Sequence, residues 1–172
     1  MAEGRVQIYT GDGKGKTTAA LGLALRACGH GLKVFLAQFA KGRESGEHEA
    51  LKRFQDLVEV RRYGRESFIG KKPEAEDIEL CRAGFRQARE AAASGLYDLL
   101  ILDEIGIALH YKMITLEEVL ELVRGKPAAL ELVLTGSRIP RRLIELADLV
   151  TEMREVKHYH RRGVAARKGI EY

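Results

Sequence analysis

TGDGKGKTT, residues 10–18, follows a short run in which Val6 and Ile8 alternate with polar residues, and opens directly into a segment rich in Ala and Leu. Strand, glycine loop, helix is the context in which such a stretch reads as a phosphate loop. Gly11, Gly13 and Gly15 can take left-handed angles and keep side chains away, so successive N–H groups turn inward around phosphate oxygens. The helix that follows adds unpaired N-terminal donors and the positive end of its dipole. Lys16 then reaches the phosphates as a point charge, and the Thr17 hydroxyl is a ligand for Mg²⁺. The general pattern places glycine five residues before Gly15, where this chain has Thr10. A dinucleotide fingerprint counted from Gly11 fails, because Lys16 stands where its third glycine belongs.

Beyond the loop, Ala20, Leu23, Ala24, Ala27 and Cys28 recur at helical spacing, which predicts a first helix burying much of its circumference before Gly29 and Gly31 end it. Lys33 to Phe39 is a nearly continuous apolar run, as in a strand covered on both faces. It ends in a polar turn, Gln38 to Gly42. A short helix is expected over 47–54 and a third strand over 57–62. The stretch YGRESFIGKK, residues 63–72, reads as a binding loop or lid, with Phe68 and Ile69 at its tip. Pro73 starts a long helix whose Ile78, Cys81, Phe85, Ala88 and Ala92 share a face.

The second informative stretch is LLIL followed by Asp103 and Glu104: a buried strand delivering carboxylates to the phosphate side of a nucleotide site, to hold Mg²⁺ directly or through water. Thr115 and Glu118 form a capping box ahead of another helix. Leu130 to Leu134 is the next strand and ends in Thr135, Gly136, Ser137 and Arg138. Pro140 begins a further helix, and 149–153 makes one more strand before a basic tail.

This alternation predicts an α/β fold, a P-loop NTPase-like three-layer sandwich with a mainly parallel central sheet and helices on both faces. One domain over 1–172 is expected from the length and 45% apolar content. Ligands of such sheets bind beyond the carboxyl ends of the strands. The four polar turns there (the glycine loop, 38–42, Asp103 with Glu104, and 135–138) are therefore expected to converge on one site.

Composition bounds the partners. No apolar run is long enough to span a bilayer and the N-terminus shows no apolar signal region, so a cytoplasmic protein without a membrane partner is expected. Cys28 and Cys81 have no partner spacing and read as core residues, which sets a zinc site aside. The net charge of +4 suits a small polyanion, and 6% aromatics with no tryptophan leave little for base stacking, so nucleic acid is not the expected partner. No triad or activated cysteine stands in the four turns; the site offers charge, from Lys16, Lys41, Arg138 and a metal. The attacking group must come from water or a second substrate. His158 and His160 read as solvated residues of the tail.

Several motifs together resemble the ATP:corrinoid adenosyltransferases: TGDGKGKTTAALG at 10–22, QFAKG at 38–42, LDE at 102–104, LTG at 134–136, ELAD at 145–148, and the ending VKHYHRRGVAARKGIEY. Thr10 is similar to that family's shortened loop. The resemblance implies transfer of the 5′-deoxyadenosyl group of ATP to cobalt(I) of a corrinoid substrate, with triphosphate leaving. It implies a nucleotide held by Thr10, Gly11, Asp12, Gly13, Lys14, Gly15, Lys16, Thr17 and Thr18, with Gln38 and Lys41 alongside. Lys16 and Arg138 would neutralise the leaving triphosphate, Thr17 with Glu104 or Asp103 would hold Mg²⁺, and Lys157, His158 and Arg167 would close over the nucleotide. A reductase or flavin would supply the electron, and a homodimer is implied.

Three departures from the family's pattern stand out. Ser137 separates Arg138 from the TG of LTG, Phe68 is the nearest counterpart of an aromatic pair facing the corrinoid, and the chain begins almost at its first strand, without the N-terminal arm of some members. Two other functions stay compatible with the residues alone. One is a phosphoryl-transferring ATPase or kinase, in which Asp103 and Glu104 activate water or a hydroxyl; the other is an ATP-dependent nucleic-acid-binding module using the basic tail.

Overall fold

A computed structural model describes residues 3–66 and 72–172. The run VFLAQF forms β2 (Val34–Phe39), and every residue in it is buried. Its neighbours explain why: β2 pairs in parallel with β3 (Val58–Tyr63) on one side and β4 (Leu99–Asp103) on the other. β5 (Glu131–Thr135), β1 (Val6–Thr10) and β6 (Leu149–Glu152) complete a sheet of order β3-β2-β4-β5-β1-β6, in which every pairing is parallel.

Alternation along the strands divides the core between the two faces. Phe35, Ala37, Phe39, Leu100, Leu102, Leu132 and Leu134 point to the side covered by α3 (Ala75–Ala93), α4 (Ile105–His110) and α5 (Leu116–Gly125). Val34, Leu36, Leu99, Ile101 and Val133 point to the side covered by α1 (Lys16–Cys28) and α2 (Gly46–Leu51). A fully buried Leu or Phe stabilises by roughly 1.5–3 kcal/mol relative to an exposed one, so the central strands carry the fold. β6, exposed along its whole length, is held mainly by its backbone ladder to β1.

Strand and helix positions follow the expected pattern to within one or two residues, with two differences. The first helix does not bury much of its circumference: α1 sinks only a stripe of small residues, Ala20, Ala24, Ala27 and Cys28, and leaves Leu25 53% exposed. Small residues let the helix lie close on the sheet, so a narrow stripe suffices. The second is α4, which no periodic pattern announces. Its six residues are set by position, because Glu104 turns left-handed at the end of β4 and starts a helix at once. The start of α3 is also held more firmly than its proline suggests. Arg65 donates to both oxygens of buried Asp77 at 2.8 and 2.9 Å and to Glu74 at 2.8 Å, fastening the chain after β3 to the start of α3. Phe68 lies outside the described residues. Among them, no helix is long and apolar enough to cross a membrane.

Candidate active site

Period-two alternation decides which polar side chains meet. Gln38 sits opposite Asp103 in the β2–β4 register, and Leu102 opposite Leu134 brings Thr135 level with Asp103 on β5. All three side chains are buried and face α1, the side of Leu36, Ile101 and Val133. A buried carboxylate must be paired or hydrogen-bonded. Asp103 Oδ1 accepts from Thr17 Oγ1 at 2.9 Å and from Thr135 Oγ1 at 2.7 Å, while Oδ2 accepts from Gln38 Nε2 at 3.0 Å. The first turn of α1 is thereby tied to the ends of three strands.

Glu104 follows at φ 58°, left-handed for a residue with a side chain, and its N–H donates to Thr135 Oγ1 at 2.9 Å. Such a conformation costs on the order of 1–2 kcal/mol and persists where its surroundings hold it, typically at functional sites. Burial pushes the Glu104 carboxyl up from its ordinary value and the neighbouring Asp103 raises it further, with Lys16 and Lys41 pulling the other way. Two adjacent carboxylates at the mouth of a cation-rich loop are a pair that a metal ion would relieve.

The glycine loop is built against the end of β6. Gly13 N–H donates to the Met153 carbonyl at 2.7 Å, and Met153 N–H donates to the Thr10 carbonyl at 2.7 Å. A Cβ on Gly11 or Gly13 would come within 2.4 or 2.7 Å of that Met153 oxygen, so these glycines serve close backbone approach as well as the turning of amides. Gly15, at φ 117°, precedes α1 and provides no side-chain cap, and no acidic residue stands in the first helical turn. The N-terminal donors of α1 are thus left for an anion. Lys16 Nζ donates to the carbonyls of Gly11 and Gly13 at 2.8 and 2.9 Å, curled over its own loop.

A cavity of about 470 Å³ opens above this loop. Lys14 to Thr18, Leu21, Lys41, Glu47 and Glu104 line it, together with the tail residues Gly169 to Tyr172. Lys41 Nζ lies 2.5 Å from Glu47 Oε1. Burial pushes the Glu47 carboxyl up, but hydrogen bonds from Lys41 and Ser45 outweigh it and hold it down at about 2. Lys14 turns away from the loop towards the tail, 3.2 Å from the Ile170 carbonyl and 3.4 Å from both Glu171 and the Tyr159 hydroxyl. Glu171 also accepts from the Tyr159 hydroxyl and, at 2.6 Å, from the Arg167 N–H. The Arg167 guanidinium carbon lies 5.2 Å from the Tyr159 ring centroid.

The structure thus brings together the loop, Gln38, Lys41, Asp103, Glu104 and Thr135. Thr10 contributes its carbonyl to the β6 contact, and Thr18 lines the cavity. Asp12 and Lys157 are exposed and do not line it. His158 caps the short 3₁₀ turn Tyr159–Arg162 through its ring, and Arg167 acts through Glu171. Arg138 is not brought to the loop. It sits at φ 59° in the turn after β5, and its guanidinium meets His110 Nε2 at 3.1 Å. Reasoning from sequence missed Thr135 as an Asp103 partner, the tail residues Ile170, Glu171 and Tyr172 as a cavity wall, and His48, which meets Gln38 beneath the site. A histidine three residues after Ser45 was the one signal for the last, as a capping-box position.

A sequence profile described as ATP:corrinoid adenosyltransferase BtuR/CobO/CobP matches residues 2–172. The chain is 38% identical over 177 residues to a corrinoid adenosyltransferase of Escherichia coli K12, covering 98% of this chain and 86% of that one. It is 37% identical over 171 residues to corrinoid adenosyltransferase CobA of Salmonella typhimurium, covering 98% and 86%. With a corrinoid adenosyltransferase of Pseudomonas aeruginosa the identity is 36% over 170 residues, covering 98% and 84%. Among solved structures, a KaiC-like protein of Pyrococcus horikoshii OT3 superposes with a TM-score of 0.61 at 17% identity, covering 87% of this chain and 73% of that one, a likeness of fold alone.

Proposed function

This chain belongs to the ATP:corrinoid adenosyltransferase family BtuR/CobO/CobP, and from that premise we propose how its site carries out ATP-dependent adenosylation of a corrinoid. The observation that carries the reading is the make-up of the cavity wall. Lys16, Thr17, Thr18 and Lys41 share one enclosure with Leu21, Ile170 and Tyr172, so a polyanion and a less polar nucleoside both find matching surface. The free N-terminal donors of α1 and the loop amides take the triphosphate. Lys16 leaves its loop carbonyls for phosphate oxygens and stabilises charge as the C5′–O bond breaks.

The electron pair for the new bond comes from the corrinoid. Burial raises the Cys28 thiol and pushes that of Cys81 up to about 11, so both stay protonated near neutral pH and serve as core residues. Cobalt(I) of the substrate attacks C5′, the cobalt–carbon bond forms with the cobalt pair, and triphosphate departs with the pair of the broken bond.

The residues fit a magnesium ion. Thr17, Asp103 and Glu104 offer hard oxygen donors, a cation would offset the burial and the Asp103 charge that raise the Glu104 carboxyl, and nucleotide oxygens would fill the remaining positions. Bound there, Mg²⁺ would supply charge neutralisation on the phosphate chain. Lys14, Tyr159, Arg167 and Glu171 fasten the tail across the cavity, and the tail shields the nucleotide from water. Lys157 and His158, outside the cavity wall in this structure, are proposed to join this cover when the nucleotide is bound. Phe68 is proposed to face the corrinoid. A homodimer would cover Leu149 and Val150, exposed on the edge strand β6. A reductase or flavin is proposed as the source of the cobalt electron, and the cytoplasm as the site of action.

The test is to mix the protein with ATP, Mg²⁺ and chemically reduced cobalamin. Appearance of the absorption change of cobalt–carbon bond formation with one triphosphate per turnover is expected. ADP in place of triphosphate would overturn the reading in favour of phosphoryl transfer.

A further inference from the structure

Beneath the cavity lies a buried chain of side chains whose polarity is set by a single backbone N–H. Ser45 precedes α2, and its N–H donates to His48 Nδ1 at 2.9 Å. A backbone amide can only donate, so Nδ1 carries the lone pair and the ring proton sits on Nε2. Nε2–H then donates to Gln38 Oε1. With Oε1 taken, the Gln38 amide is fixed in one of its two flips, and its NH₂ faces Asp103 Oδ2 at 3.0 Å. The reverse flip would set an amide oxygen against a carboxylate inside the core, leaving both acceptors without a proton.

We propose that His48 is a positioning residue: through Gln38 it holds the Asp103 carboxylate so that Oδ1 stays directed at Thr17 and at a cation bound with the nucleotide. This rests on the proposed reading of Thr17 and Asp103 as ligands of that cation. His48 is 8% exposed, and Gln38 and Asp103 are 0% and 1% exposed, so the relay runs through the interior. Burial lowers the His48 pKa, with Lys41 and Arg62 adding to the effect and Glu47 and Glu44 opposing it, which keeps the ring neutral and the relay intact. Partners one step behind a metal ligand commonly affect metal affinity by about 10–100-fold. His48 stands one step further back, so the lower end of that range is expected.

Two measurements on the full chain test this. Long-range ¹H–¹⁵N correlation spectra at neutral pH, with His48 assigned by its loss in His48→Gln, are expected to show the neutral Nε2–H tautomer. An Nδ1–H tautomer or an imidazolium overturns the relay. Dissociation constants of ATP are then compared with Mn²⁺ present and in EDTA. His48→Ala is expected to reduce the manganese-dependent gain in affinity about tenfold while leaving the EDTA value unchanged. His48→Gln should recover most of the gain, because a glutamine at this capping-box position can accept from Ser45 and donate to Gln38. Equal losses with and without metal, or a His48→Gln variant as impaired as the alanine one, overturn the inference. Wild-type protein showing no manganese-dependent gain would instead overturn the metal reading, and the tautomer alone would decide the relay.

Discussion

Thr17 Oγ1 donates to Asp103 Oδ1 at 2.9 Å, joining two residues 86 positions apart. The bond pins the first turn of α1 to the carboxyl end of β4. On the proposed reading it also marks where a cation bound with the nucleotide would sit, beside Oδ1 and the Thr17 hydroxyl. Substitutions at Thr17 test whether the pair serves the proposed nucleotide site as well as the fold.

Thr17→Ala removes the hydroxyl from both roles. Turnover with ATP and reduced cobalamin should fall about 10²–10³-fold, the scale seen when a key electrostatic group is lost. Thr17→Ser, which keeps the oxygen, should retain most of the activity. Rates of cobalt–carbon bond formation across a Mg²⁺ titration check this; an alanine variant as active as the serine one would remove Thr17 from the site.

Lys16→Ala should cost roughly 3–4 kcal/mol of transition-state stabilisation. Its thermal midpoint should move little, because the hydrogen bonds that the ammonium makes in the free protein run only to its own loop carbonyls. Steady-state kinetics and a melting curve on the same preparation are sufficient. Activity near wild type would mean that the ammonium stays curled over the loop throughout turnover.

Two glycine substitutions should differ in sign. In Gly13→Ala the new Cβ would meet the Met153 oxygen at 2.7 Å, and overpacking of that kind destabilises by about 1–3 kcal/mol. Gly22 is exposed on α1, and a methyl group added there would meet no atom of the described residues within 4 Å beyond its chain neighbours and the backbone of its own helix. Gly22→Ala should therefore stabilise by about 0.5–1 kcal/mol. Urea unfolding of both variants measures the contrast.

Glu47→Gln tests the Lys41 pair through pH. The carboxyl is held at about 2 against an ordinary 4.5, so its contribution to stability is complete above pH 4.5 and is lost as pH falls towards 2. The gap in melting temperature between wild type and variant should therefore be full at pH 7 and narrow steadily below pH 4.5. A gap that widens on acidification would contradict the pairing.

Glu171→Gln should loosen the tail while leaving Lys16, Thr17 and Lys41 in place, its one link to the loop among the described residues being Lys14. Hydrogen bonds from Arg167 and Tyr159 hold the Glu171 carboxyl well below the usual carboxylate range, so the charged form is the one that fastens the tail. The KM for ATP should rise with little change in kcat, the pattern of lost uniform binding. A fall in kcat at unchanged KM would assign the tail to the chemical step instead.

Strand alternation and the glycine loop are enough to read a parallel sheet with its ligand end at the strand termini. Gln38, Asp103 and Thr135 meet there because position along each strand fixes both height and face. Arg138 shows where such reading fails: a left-handed turn redirects one side chain to His110, and no periodicity encodes that. His48 and Glu171 escape notice for a related reason. Each matters through partners 10 and up to 157 residues away, and those partners are chosen by packing.

The bonds between Gly13, Thr10 and Met153 impose an order on assembly. Residues synthesised early are shaped by residues synthesised much later, so a nascent chain that has not yet reached β6 has a glycine loop with nothing to hang on. Contacts of such long sequence separation form late and slowly. If the loop holds the triphosphate as proposed, a chain that stops short of Met153 lacks the backbone support for that grip, and the last strand to be made completes the first loop.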